Sequence, residues 1–180
     1  MSYKKWILAS AILFAIGLAS GIWLPVSSVT GEIDALSELS SMLFSLPPIL
    51  IAVFIFLKNA TALLFSFALG PLFCVVPVLS LLINGYVISV VSVMVVEEMS
   101  LGFVLAALLP HGIIELPALI LGEAAALSFG SIVTISLFKR EKRELVMPSF
   151  RQNLKYLALA IGLMLPAAVI ETYITPMFLP

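Results

Sequence analysis

His111 and Glu115 stand one helical turn apart in LLPHGIIELPALILGEAAALSFG (Leu108–Gly130), a segment otherwise apolar enough to lie in lipid. Residues at i and i+4 share a helix face. The chain's single histidine and this carboxylate can therefore act as an acid–base pair, as two ligands of an ion, or as a mutually satisfied polar pair. Zinc sites use three or four protein ligands, and the chain adds only one cysteine, Cys74, which is distant in sequence. Glu97, Glu98, Glu123 and Glu171 can contribute oxygens only through folding. Nucleophilic catalysis has no better footing, because no G-x-S-x-G segment is present and Cys74 has no adjacent activator. The expectation is a polar lock between helices, with no catalytic residue, no metal and no cofactor.

The elements that hold this pair must lie in a membrane. Of 180 residues, 62% are hydrophobic and 11% charged, against roughly a quarter charged in soluble domains, and the mean hydropathy is +1.23. A net charge of −1 with sparse Lys and Arg offers no phosphate-neutralising surface, which excludes nucleic acid as a partner. The expected class is an all-α integral membrane protein, one domain over 1–180, in contact with the lipid bilayer. One cysteine permits no intrachain disulfide.

A membrane crossing takes about 20 apolar residues, and five spans are expected: Trp6–Leu24, Met42–Leu57, Ala60–Ile83, Ile113–Phe138 and Leu154–Ile174. The first is longer than the ~7–15 residues of a signal-peptide core, so it reads as a retained span. Lys4 and Lys5, and the basic loop 139–153 with Lys139, Arg140, Lys142, Arg143 and Arg151, fall inside by the positive-inside rule. The outer loop 26–41 and the C-terminus then fall outside, and Lys58 marks an inner turn. Parity leaves one net crossing between Asn84 and Phe138. The segment 84–110, interrupted by Glu97-Glu98-Met99-Ser100, is accordingly expected as a re-entrant or broken-helix hairpin buried by protein. The alternative is a six-span bundle in which this segment forms one bent span.

Within Leu108–Gly130, Pro110 suits the first helical position, and Pro117 should kink the helix just beyond Glu115. The His111 face continues through Ala118, Gly122, Ala125 and Phe129. Gly122, Ala126 and Gly130 repeat at spacing four, the small-residue pattern of close membrane-helix packing or self-association. A homo-oligomer, with the dimer as the expected state, follows from that stripe.

The segment LPHGIIELPALILGEAAALSFG resembles the signature of the stage II sporulation protein M family, Pro-His-Gly, two aliphatics, then Glu-Leu-Pro-Ala and a small-residue run. FLKNATALLFSFALG through LLINGY (Phe56–Tyr86) resembles the family's Asn…Gly…Asn-Gly core, and AAVIETYITP (Ala167–Pro176) resembles its C-terminal Ile-Glu-x-x-Ile-Thr-Pro. Glu123 and Ala126 stand where small residues, glycine above all at the latter, are usual. The resemblance implies site residues His111, Glu115, Pro117, Asn84, Gly85 and Glu171, with Gly112 inside the signature. It also implies a multi-pass membrane scaffold: in spore formers the family holds peptidoglycan-degrading partners at the septal membrane, while many relatives occur in organisms that make no spores. The expected topology puts His111, Glu115, Asn84 and Glu171 in one half of the membrane, where they can form a polar cluster, with Glu97, Glu98 and Glu123 as secondary acids.

The function expected is a non-enzymatic cell-membrane scaffold that holds an unidentified protein partner. A transporter module served by a separate ATPase is the second reading, since broken helices and acids at membrane depth also build ion paths, and the bundle is similar to the membrane halves of some export pumps. A metal-dependent intramembrane enzyme is the third. Glu97-Glu98 ahead of a membrane histidine resembles intramembrane CAAX-type proteases only in part, for the arginine after Glu98 and a second histidine are missing. Histidine titrates near neutrality, so the melting temperature in detergent is expected to change between about pH 5 and 8; a flat profile would contradict a titrating His111.

Overall fold

A computed structural model of the chain describes residues 3–23 and 46–178, apart from the side chain of Glu98. The loop 26–41 and the start of the expected Met42–Leu57 span lie outside the described residues. Among the described residues, five helical segments are long and apolar enough to cross a membrane. They are α1 (Lys4–Trp23), α2 (Pro48–Leu69), α3 (Val75–Glu98), α4 (Leu101–Phe138) and α5 (Val146–Val169), the last prolonged by a π turn (Ile170–Ile174) and a 3-10 turn (Thr175–Phe178). A 3-10 turn, Arg140–Leu145, joins α4 to α5. Large apolar side chains such as Leu8, Phe65, Ile83 and Ile113 are exposed around the bundle, as a lipid-facing surface requires.

The all-α membrane class and the five spans stand, but their bounds differ from the sequence expectation. Lys58 is not at a turn. It lies near the midpoint of α2, and the turn between α2 and α3 is Gly70–Cys74. Lys and Asn are compatible with helix, whereas Pro71 has no N–H with which to continue α2. In this turn Phe73 (φ 54°) and Cys74 (φ 59°) both adopt the left-handed conformation, which costs a non-glycine residue free energy and needs surrounding support.

The segment 84–110 is likewise not a separate re-entrant piece. Its first part completes α3 and its last part opens α4, with the break at Met99–Ser100. Ser100 is an extended N-cap whose Oγ accepts a hydrogen bond from the Phe103 amide at 3.2 Å. That cap starts the helix earlier than Pro110, so Pro110 and Pro117 both lie inside α4, a helix of 38 residues. At 1.5 Å per residue α4 is ~57 Å long, well beyond a hydrocarbon core of ~30 Å. The loop 139–153 is also shorter than expected, because Val146 already begins α5.

Close approaches at glycine set the register of the bundle. A Cβ on Gly17 would strike the Leu82 carbonyl oxygen, one on Gly21 would lie 2.8 Å from that of Tyr86, and one on Gly85 would strike that of Phe14. Contacts that advance together along both helices mean that α1 and α3 run in the same direction, joined through a Gly17-x-x-x-Gly21 face. In the same way α2 runs parallel to α4: Asn59 meets Glu115, Ser66 meets Glu123, and Gly70 meets Ala126. Helix α5 returns antiparallel, placing Ala160 at Gly122 and Thr175 at His111.

The main core gathers Leu63, Phe67, Ala118, Ala125, Ala126, Leu157, Ala160 and Met164, with Phe67 stacked on Phe129 at 5.1 Å between ring centroids. The Gly122–Ala126–Gly130 stripe is filled within the chain. Gly122 faces Leu63 and Ala160, and a Cβ on Gly130 would strike the Gly70 carbonyl oxygen and lie 3.0 Å from Cys74 Sγ. Gly130→Ala must therefore displace the backbone of the strained turn. We expect it to destabilise the protein by about 1–3 kcal/mol, seen as a lower melting temperature in detergent. Gly112→Ala, whose nearest neighbour would be Leu116 Cδ1 at 4.0 Å, should leave the melting temperature unchanged or raise it slightly.

Candidate functional site

Two polar clusters lie inside the bundle. The first is built on α4, where the i and i+4 spacing brings His111 Nε2 to 3.9 Å from Glu115 Oε2, with side chains 13% and 25% exposed. Helix α2 contributes Asn59, whose Nδ2 donates to Glu115 Oε1 at 2.9 Å. The π turn beyond α5 contributes Glu171, one of whose carboxylate oxygens lies with His111 and Glu115 ligand atoms in a group no wider than 4.8 Å. Buried Thr175 completes the cluster, with Oγ1 3.3 Å from His111 Nδ1 and donating to the Ile170 carbonyl at 3.3 Å. Single π turns are rare, and those inside α-helices are frequent at functional positions.

Of the four residues expected here, the fold brings together His111, Glu115 and Glu171. Asn84 is elsewhere, exposed on α3 and donating to the Ser80 carbonyl of its own helix at 2.8 Å. Asn59 occupies the position expected of Asn84. The polar pair Lys58-Asn59 in mid-helix is the signal that points to this, since polar groups inside a span tend to face protein. Assigning the pair to a turn conceals it.

The second cluster centres on Glu123, which has no exposed surface. Ser66 Oγ of α2 donates to Glu123 Oε2 at 2.5 Å, and Ser80 Oγ of α3 donates to Oε1 at 2.6 Å. Asn84 Nδ2 lies 3.5 Å from Ser80 Oγ, so a polar chain leads from the exposed face of α3 to the buried carboxyl. The two serines have no sequence signal of their own, because a serine in a membrane helix can satisfy itself on a carbonyl one turn back. Glu97 is exposed at the end of α3 and joins neither cluster, and the side chain of Glu98 lies outside the described residues.

Gly85, Gly122 and Gly130 receive neighbouring helices, Ala126 is fully buried, and Pro110, Gly112 and Pro117 lie along α4 beside the first cluster. Cys74 is half-buried in the α2–α3 turn, with Sγ 3.7 Å from the Leu127 carbonyl. At the opposite end from His111, Lys139, Arg140, Lys142 and Arg143 are exposed, with Arg143 Nε donating to the Ser136 carbonyl at 3.3 Å.

The two clusters give distinct expectations for stability. Glu115→Gln preserves shape but gives the Asn59 amide a neutral acceptor in place of a charged one, and we expect a loss of about 1 kcal/mol; an unchanged melting temperature would argue against a lock. Asn84→Leu should change stability by less than about 0.5 kcal/mol. Ser66→Ala combined with Ser80→Ala strips both donors from Glu123, and should destabilise more than Asn84→Leu in the same thermal assay.

Comparison with known proteins adds a family. A family model described as stage II sporulation protein M matches residues 10–176. An uncharacterized protein of Methanocaldococcus jannaschii is 28% identical over 174 residues, covering 94% of this chain and 93% of that protein. No solved structure matches the chain.

Proposed function

The chain belongs to the stage II sporulation protein M family, and from that premise we propose that it is a non-enzymatic, multi-pass scaffold of the cell membrane that holds partner proteins there. The observation that carries this reading is how its polar side chains are engaged. Glu123, Ser66 and Ser80 tie α2, α3 and α4 together, while His111, Glu115, Asn59 and Thr175 tie α2, α4 and the C-terminal turns. Groups so engaged rigidify a bundle, and a rigid bundle presents its ends in fixed positions.

The exposed basic turn Lys139–Arg143 is the surface we assign to a partner. Helix α1 runs parallel to α3, and the positive-inside rule makes its basic start, Lys4 and Lys5, and the basic turn cytoplasmic. Self-association through the Gly122 stripe, expected from the sequence, would have to use another face, because α2 and α5 fill that stripe.

One observation favours the second reading, a transporter module with a separate ATPase. The chain Asn84–Ser80–Glu123–Ser66 leads from an exposed helix face to a fully buried carboxyl, and such groups mark ion or proton paths in other membrane proteins. Affinity isolation of the full chain from its native membrane, quantified by mass spectrometry, separates the two. The scaffold reading expects a partner whose recovery falls when Lys142 and Arg143 are replaced by Glu. Stoichiometric recovery of an ATPase would favour transport, and recovery indifferent to the charge reversal would overturn docking on the basic turn.

A further inference from the structure

Hydrogen-bond accounting at His111 leads to a site that the scaffold reading does not need. The Thr175 hydroxyl has one hydrogen to give and two neighbours, the Ile170 carbonyl oxygen at 3.3 Å and His111 Nδ1 at 3.3 Å. Both contacts are hydrogen bonds only when the hydroxyl donates to Ile170 and accepts from Nδ1–H. That assignment puts a hydrogen on Nδ1, and in the neutral imidazole it leaves a lone pair on Nε2. Nε2 lies 3.9 Å from Glu115 Oε2, and one imidazole nitrogen, one Glu115 oxygen and one Glu171 oxygen fall within 4.8 Å of one another.

Three potential ligand atoms from two separate elements thus converge, and among the described residues no side-chain hydrogen bond joins them. The 3.9 Å separation exceeds hydrogen-bond length. The amide of Asn59 satisfies Glu115 from the far side, on Oε1. Lys58, the residue before Asn59, is exposed; its charge acts on Glu171 from beyond ion-pair distance, and it forms no ion pair among the described residues. Converging acceptors in a half-buried setting call for a positive centre, because their lone pairs otherwise face one another without solvent to separate them.

We propose that His111, Glu115 and Glu171 form a binding site for one divalent first-row transition cation, with zinc as the reference ion, that clips the C-terminal turns onto α4. Metal–nitrogen and metal–oxygen bonds of about 2.0–2.2 Å place neighbouring ligand atoms roughly 3.3–3.6 Å apart in a tetrahedral shell, which small side-chain rotations reach from the present spacing. Two carboxylates and one neutral imidazole balance a 2+ charge, so the loaded site is neutral, as a low-dielectric setting favours. The mixed nitrogen and oxygen set, without thiolate, suits Zn²⁺, Mn²⁺ or Fe²⁺; Cys74 sits far off in the α2–α3 turn. The surroundings match what orients metal ligands elsewhere, a hydrogen bond from the second imidazole nitrogen and a donor to a ligating carboxylate. Thr175 and Asn59 fill those roles as positioning residues. The remaining coordination position falls to water.

The test uses the full chain, without an affinity tag, purified in detergent. It is stripped with chelator, reloaded with Zn²⁺ or, separately, Mn²⁺, desalted, and assayed for metal by mass spectrometry and for melting temperature. About one bound ion per chain and a raised melting temperature are expected. Glu171→Gln and His111→Ala should each retain less than about a tenth of it, Thr175→Val should bind ~10-fold more weakly, and Cys74→Ser should bind as wild type. Failure of the unsubstituted chain to retain either metal, or equal retention by Glu171→Gln, would overturn the proposal and leave an imidazolium proton between the carboxylates. Should the variants aggregate, the X-ray absorption spectrum of the Co²⁺-loaded wild type decides: a first shell of nitrogen and oxygen containing one imidazole supports the site, and sulfur or water alone refutes it. The assay reads metal directly and involves no partner, so its failure leaves the scaffold reading intact, and loss of the scaffold reading leaves the site intact.

Discussion

A carboxyl group with no access to solvent must find its hydrogen bonds inside the protein, and Glu123 is such a group. Leaving a polar atom unpaired in an apolar interior costs several kcal/mol at the upper end. Glu123 meets that constraint with one serine from α2 and one from α3, which requires three helices to pack at one depth and in one rotation. Ala118, Ala125 and Ala126, all fully buried, let that happen, because the alanine side chains on α4 allow neighbouring backbones to approach closely. Polar satisfaction and close packing are therefore one condition on the bundle. Slipping α2 by one residue would remove the Ser66 donor and drive Leu63 out of the space beside Gly122.

The same coupling operates at the other cluster. Asn59 and Ser66 lie two turns apart on α2, and Glu115 and Glu123 lie about two turns apart on α4, so the two contacts fix a single parallel register. The strained Phe73–Cys74 turn is held against Gly130 at one end of that interface. At the other end the C-terminal turns reach back to His111. The pair α1 and α3 is joined separately, through backbone contacts at Gly17, Gly21 and Gly85, and meets the rest through Leu81 and Leu127.

Several features are legible in the amino-acid sequence. Apolar run length announces a five-span helical membrane protein, and the Pro-His-Gly segment points to the right family. Where sequence and fold differ, the cause is a local reading of polar residues. Lys58-Asn59 reads as a turn by its polarity, yet a helix tolerates both residues when Asn59 has Glu115 to bind. Glu97-Glu98-Met99-Ser100 reads as the middle of a re-entrant piece, although Ser100 is a sound N-cap signal for a long helix. Family resemblance and membrane half both assign Asn84 to the cluster, and both criteria are blind to which way a helix face points.

What the sequence determined alone were quantities set within one helix: span lengths, the pairing of His111 with Glu115 one turn apart, and the small-residue stripe from Gly122 to Gly130. Tertiary structure decided which distant groups meet them. Asn59 rather than Asn84 at Glu115, Glu171 and Thr175 at His111, and the two serines at Glu123 all depend on the rotation and register of separate helices. Those are set by backbone contact at glycine and alanine, summed over many residues, and helical periodicity carries no information about them.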